Sequence, residues 1–202
     1  VSVITLPANV HFEKIPVLSL LRSGLSIRSK YTGKRQHINF PFAMWALQGT
    51  LVPKQGTDAG VWRSFVVQLE GQKNTFRLPI PGYSGPQNGY SGNGAVKSAV
   101  LSRAKSFTMK GLTPGAPVFT DGDYFVINDE CKMVTGNLAA DGSGELIVTF
   151  EPAMRKPASA DDVVTLQDPW IYVSSVDNDS GSWALDHPVE HTFKLNTMEV
   201  ID

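Results

Sequence analysis

A mostly β fold built around a single helix is what this sequence predicts, on three observations. Eighteen Gly and 13 Pro are spread through 202 residues, enough punctuation to separate many short strands. Short segments alternate apolar and polar side chains. Only one stretch carries helical periodicity.

The first alternating segment runs from Leu25 to Tyr31, with Leu25 and Ile27 set against Ser26 and Arg28. Thr32-Gly33-Lys34-Arg35 reads as a turn and His37 onward as a return strand. Phe40 to Val52 is rich in aromatic and apolar residues, which suits a strand with a buried face. The helix is expected over about residues 58–71, with Thr57 as N-cap, Asp58 at the positive end of the dipole and Gly71 as stop. Val61, Phe65, Val66 and Leu69 form its apolar stripe, with Trp62 on the border. Gly60 lowers intrinsic helicity, so packing across a sheet must hold this helix. Thr75 to Ile80 follows as a strand. Residues 82–94 contain Gly-Tyr-Ser-Gly twice, at 82–85 and 89–92, and read as an exposed loop ordered against a neighbour. Further strands are expected at Ser106–Lys110, Tyr124–Ile127, Leu146–Phe150, Val163–Leu166, Trp170–Ser174 and Thr192–Val200, with linkers at 111–117, 152–160 and 177–182.

The length suits one β-rich domain over residues 1–202, or two sub-barrels within it: a basic part, 1–110, carrying the helix, and an acidic all-β part, 111–202. Charge is sorted along the chain. Residues 1–105 hold thirteen of the 18 Lys and Arg and three of the 19 Asp and Glu, a formal charge of +10, which leaves −11 for residues 106–202. Unlike surfaces on one molecule favour head-to-tail contacts between copies, which close into rings or extend as filaments. Internal pairing of the two halves explains the sorting equally well. Lys30, Lys34 and Arg35 on one side, with Asp121, Asp123, Asp161 and Asp162 on the other, are the candidate self-assembly residues. Trp45, Trp62, Trp170 and Trp183 are expected in the core or at a subunit interface, at least half of them in the core. Cys131 is the single cysteine, so there is no internal disulfide and no multi-cysteine zinc cage, and a reducing cytoplasm is the expected site of synthesis. No run approaches the roughly 18 apolar residues of a membrane span.

Chemistry-bearing motifs are weak. His187-Pro188-Val189-Glu190-His191 fits the H-x-x-E-H pattern of inverted zinc proteases, but an alternating strand pattern begins at once and would splay the two imidazoles. A zinc hydrolase at His187, Glu190 and His191 is therefore a minor alternative. Asp177 to Gly181 begins like a calcium loop, yet Gly181, Ser182 and Pro188 occupy the positions that need an oxygen ligand, Gly and Glu. No phosphate-binding loop or nucleophile elbow is present, so no catalytic residue, metal or cofactor is expected. Tyr83, Tyr90 and Trp183, if exposed, would suit a carbohydrate-binding module. Lys30, Lys34, Arg35 and His37 around a hairpin with Tyr31 suit non-specific phosphate contact, without any sequence-reading motif.

Four pieces in order carry a family resemblance: Trp62 to Gly71 with Asn74-Thr75-Phe76; Gly122-Asp123-Tyr124-Phe125-Val126-Ile127; Ala140-Asp141-Gly142-Ser143-Gly144-Glu145-Leu146; and Phe150-Glu151-Pro152-Ala153-Met154-Arg155 leading into Asp161-Asp162-Val163-Val164. Their order and spacing, over about half the chain, resemble the distal tail proteins and minor tail proteins of tailed bacteriophages. The resemblance implies a split β-barrel with a packed helix. It also implies a non-enzymatic virion protein, made in the host cytoplasm, whose copies close as a ring of six at the distal end of the tail tube. Its partners would be its own copies, the tube protein and the hub or receptor-binding and fibre proteins, with DNA passing through the lumen in non-specific contact and no membrane association. A tail nozzle or fibre-attachment role is the structural alternative.

Overall fold

The computed structural model describes residues 1–8, 10–176, 183–187 and 190–200. β1 (Val3–Ile4) precedes two long strands, β2 (Val17–Arg28) and β3 (Arg35–Thr50). β4 (Lys54–Gln55) leads into α1 (Gly56–Leu69), and β5 (Thr75–Pro79) follows. Eight shorter strands come next: β6 (Gly94–Val96), β7 (Ser106–Lys110), β8 (Pro117–Phe119), β9 (Tyr124–Ile127), β10 (Glu130–Val134), β11 (Leu138–Ala139), β12 (Leu146–Glu151) and β13 (Val163–Thr165). β14 (Trp170–Ser175), β15 (Trp183–His187) and β16 (Glu190–Glu199) complete the chain. The fold is mostly β, with one helix and a closed barrel, as expected of a split β-barrel-like architecture.

Two compact units interleave along the sequence rather than dividing near residue 110. The first comprises Val1–Leu20, Met44–Pro81 and Ile171–Asp202; the second comprises Leu21–Ala43 and Gly82–Trp170.

In the first unit β16 is the organising strand. It pairs antiparallel with β14, with Val173 opposite Glu199, and with β3, with Thr197 opposite Leu47; it also pairs with β15 and β4. The sheet runs β1-β5-β14-β16-β3-β2. α1 buries Ala59, Trp62, Phe65 and Leu69, spaced three, three and four residues apart and so on one helical face. Trp62 meets Phe65 edge-on at 5.6 Å and Phe193 at 5.9 Å, while Phe65 meets Phe76 at 5.1 Å. This corrects the expected stripe: Trp62 lies at its centre, and Val61 is half exposed. The indole has the largest area to remove from water and sets which face turns inward. The helix also starts earlier than expected. Gln55, extended at φ −124°, precedes it without a side-chain cap, and Thr57 lies inside the first turn. It ends where Glu70 and Gly71 turn left-handed, φ 48° and 68°.

The second unit contains the barrel, closed in the order β10-β12-β7-β6-β13-β9. Its antiparallel ladders include Val164 opposite Ile127, Cys131 opposite Val126 and Ile147 opposite Thr108. Alternation along β12 sends Leu146, Val148 and Phe150 inward and leaves Ile147 exposed. Phe107, Phe125 and Phe150 meet edge-to-face at 5.6–5.9 Å and fill the barrel with Met109, Val118 and Val134. Residues 152–160, expected as a linker, contribute Ala153, Met154 and Ala158 to the buried set. Of the tryptophans, Trp45 and Trp62 are buried and Trp170 is partly so.

Phe125 is fully buried and touches three other rings, so Phe125→Ala should cost about 3–5 kcal/mol in urea unfolding. Val67→Ala, on the exposed side of α1, should stay within about 0.5 kcal/mol. Equal losses at the two positions would contradict the assigned core.

Candidate assembly surface

From Leu21 to Ile38 every residue except Ser29 is exposed, although the chain there is regular β-structure on both sides of a turn. The turn is closed by Ser29 N–H donating to the Lys34 carbonyl at 2.9 Å and Gly33 N–H donating to the Ser29 carbonyl at 3.0 Å. Ser29 Oγ accepts from the N–H groups of Tyr31 and Thr32. Gly33 adopts φ 67°, a conformation that favours glycine. The result is a two-stranded arm formed by the distal parts of β2 and β3.

Strand alternation gives this arm two unlike faces. Val17, Leu21, Leu25 and Ile27 share one face of β2, each 42–62% exposed. Arg22, Ser26 and Arg28 share the other. The Ser29–Lys34 pairing brings Arg28 opposite Arg35 on the return strand. Lys30 and Lys34 flank the turn, and Tyr31 at its tip is 99% exposed. No acid occurs between Glu13 and Asp58. β2 is also the last strand of its sheet, so its outer row of N–H and C=O groups lacks a ladder partner among the described residues.

The acids expected to complement this surface are placed differently. Asp123 is fully buried, contrary to an interface role, because it holds turns: its carboxylate accepts from Thr120 N–H at 2.6 Å and Gln87 N–H at 3.1 Å. Asp121 accepts from Gly136 N–H and Asp162 from Ser159 N–H. Asp161 pairs with Lys110 at 2.6 Å. Glu145 pairs with Lys97, and Glu151 with Lys105 and Arg22. Arg22, Lys97 and Lys105 from the first half thus pair with Glu145 and Glu151 from the second inside one unit, while Lys110–Asp161 pairs within the second half. Hydrogen bonds from Glu145 N–H and from the hydroxyl and N–H of Ser143 hold the Asp141 carboxyl below its usual pKa.

Beneath the barrel surface lies an ionic cluster that the sequence did not reveal. Glu130 and Lys132 are almost wholly buried and paired at 2.5 Å. Lys132 Nζ also donates to the Ala153 carbonyl at 2.9 Å, and Glu130 accepts from the N–H groups of Arg155 and Lys156 at 3.0 and 2.7 Å. The bonds to Ala153, Arg155 and Lys156 tie β10 to the 152–158 segment. The cluster positions backbone and has no open space beside it for a substrate among the described cavities.

The Gly-Tyr-Ser-Gly loop is not free either. Tyr83 OH accepts from Tyr124 N–H at 3.1 Å, Tyr90 OH accepts from Thr113 N–H, and Gln167 donates to the Tyr90 carbonyl. Both rings are partly buried, which removes them as open platforms for sugar faces. The side chain of Trp183 lies outside the described residues, as does the Asp177–Gly181 segment. His187 and Glu190 are paired across β15 and β16, with His191 opposite Leu185. The motif therefore lies on two strands of a hairpin instead of one helical turn, and the i, i+4 arrangement of an inverted zinc site does not form. The side chains of His187 and Glu190 are outside the described residues. No group of three or more His, Cys, Asp or Glu suited to a metal occurs among the described residues.

An open groove of about 900 Å³ in the first unit is lined mainly by Leu6, Pro7, Val10, Arg77 and Tyr172. Arg77 Nε donates to Tyr172 OH at 2.7 Å and its guanidinium lies 5.1 Å from the ring centre, so this pair clasps β5 to β14. No described helix is long and apolar enough to cross a membrane. The sequence matches no family model and no curated protein.

Two outcomes follow. Lys132→Met removes the nearer of the two cations beside the buried Glu130 carboxylate, leaving Arg155 Nε at 3.6 Å, and should cost about 3 kcal/mol in urea unfolding. Burial, reinforced by Asp123, raises the Tyr83 phenol above its ordinary value of 10. The folded state then keeps this proton while the unfolded chain loses it, so stability falls as pH rises beyond about 10. Tyr83→Phe should flatten that alkaline decline in pH-dependent melting; an unchanged slope would refute the linkage.

Proposed function

We propose that this chain is a structural virion protein of a tailed bacteriophage, a ring-forming adaptor at the distal end of the tail tube. In this role it joins the tube to the hub and the receptor-binding or fibre proteins, and its lumen lets DNA pass. One observation carries the self-association part: a regular β-arm that the folded chain leaves bare. A two-stranded ribbon in water is marginally stable by itself. An apolar stripe beside an unpaired edge strand gains both area burial and backbone hydrogen bonds when another copy covers it. A closed ring satisfies every such edge at once, whereas an open chain always leaves one bare.

The placement at the tail tip rests on the four-piece resemblance, now joined to a mostly β fold with one packed helix and a barrel. Those pieces fall largely on turns and core: Asp123 ties turns, Asp141 caps its own turn, and Ala153 and Met154 pack inward. They speak for a shared scaffold more than for a shared site.

Analytical ultracentrifugation and negative-stain electron microscopy of the purified chain test the reading. Closed rings are expected, and Leu25→Asp with Ile27→Asp on the exposed face should convert them to monomers without lowering the melting temperature. A wild-type chain that stays monomeric at every concentration and fails to bind tail tube or hub proteins would overturn the reading.

A further inference from the structure

The arm has a second face, and the apolar contact between copies does not use it. We infer that the basic face formed by Arg28 and Arg35, with Lys30 and Lys34 at the turn beside it, is a binding site for the phosphate backbone of double-stranded DNA, read without sequence preference. This goes beyond the ring: it concerns the opposite side of the ribbon and holds for a monomer as well.

Four observations converge. First, Arg28 and Arg35 face one another across adjacent strands, where opposed residues sit about 4.5–5.5 Å apart. Like charges directly opposite destabilise a sheet unless an anion lies between or above them. Second, none of Arg28, Lys30, Lys34 and Arg35 has an acidic partner among the described residues, whereas Lys97, Lys105, Lys110 and Lys132 each do. Third, the expected complementary acids Asp121, Asp161 and Asp162, and Glu145 beside them in sequence order, are already held by lysines or by turn N–H groups of their own unit. A neighbour would have to surrender those bonds, and a polyphosphate surrenders only counterions. Fourth, Ser26, Tyr31 and Thr32 add exposed neutral donors around the cations, the side-chain types that hydrogen-bond phosphate and sugar oxygens. A two-stranded ribbon is also narrow enough to lie in the major groove, about 12 Å wide.

Fluorescence anisotropy with a labelled duplex about two helical turns long measures the site directly. Binding should weaken as salt rises, with log K falling by about 0.9 per log unit of salt for each phosphate contacted. Arg28→Gln with Arg35→Gln should lower that slope by about 1.8 and weaken low-salt binding at least tenfold. Lys30→Gln with Lys34→Gln should do likewise, and Leu25→Asp with Ile27→Asp should leave duplex binding intact. All six positions are exposed, and unchanged melting curves will verify folding. No duplex binding at low salt, or a slope unaffected by the arginine pair, would overturn the site. Loss of rings in the arginine variant, with duplex unable to compete, would assign this face to a second copy and overturn it too. Binding to anionic phospholipid vesicles in place of duplex would do the same. Because the apolar variant tests rings and the basic variants test DNA, either idea can fail alone.

Discussion

The unpaired outer edge of β2 is the constraint from which the rest of this molecule's behaviour follows. Each backbone N–H and C=O in a strand needs a partner, and among the described residues β2 meets that need on one side only. In the first unit the requirement is met by β16, which serves as neighbour to β14, β3, β15 and β4. In the second unit it is met by closure, since a six-stranded barrel has no edge left. The arm is a long stretch of regular strand where, among the described residues, neither solution applies. Water satisfies its outer edge for an isolated chain, but water does nothing for Leu21, Leu25 and Ile27.

Charge behaves in a related way. The separation of +10 from −11 along the chain looks like two unlike surfaces, yet part of it is resolved inside the second unit by Lys97–Glu145, Lys105–Glu151 and Arg22–Glu151. Exposed pairs of this kind contribute little to stability, on the order of 0–1 kcal/mol each. Their greater effect is to cancel field, while Arg28, Lys30, Lys34 and Arg35 on the arm stand without an acidic partner among the described residues.

How much of this was legible in the residues depends on whether a local pattern reported a local cause. The hairpin about residues 29–34 was legible because Leu25 and Ile27 alternate cleanly into a Gly turn, and β7, β9 and β14 were legible for the same period-two reason. β10 was not. Glu130, Cys131 and Lys132 are buried in succession, and two of them read as solvent-facing until the 152–158 segment folds over them. The same long-range bonds turned an expected linker into core. Helix α1 was found, but its inward face was misassigned, because the deciding partners, Phe76 and Phe193, lie outside the helical segment. Exposure of the arm could not be read at all: an alternating strand with one apolar face looks identical whether or not a sheet covers it. Asp123 illustrates the converse, a carboxylate in a Gly-Asp turn that resembles a surface charge and is a fully buried turn anchor.

An arm of this construction also separates two requirements that would conflict on a single surface. Closing a ring calls for contacts that persist, which apolar burial and backbone pairing provide regardless of ionic strength. Handling a polyanion calls for contacts that form and release, which exposed point charges, screened and tuned by salt, provide. On a ribbon these demands fall on alternate residues, so a change at Leu25 leaves Ser26 and Arg28 where they were. The two-residue period of a β-strand is therefore what lets one short segment act as both fastening and contact surface. A helix of the same eighteen residues would spread both sets around its circumference and present neither as a flat face.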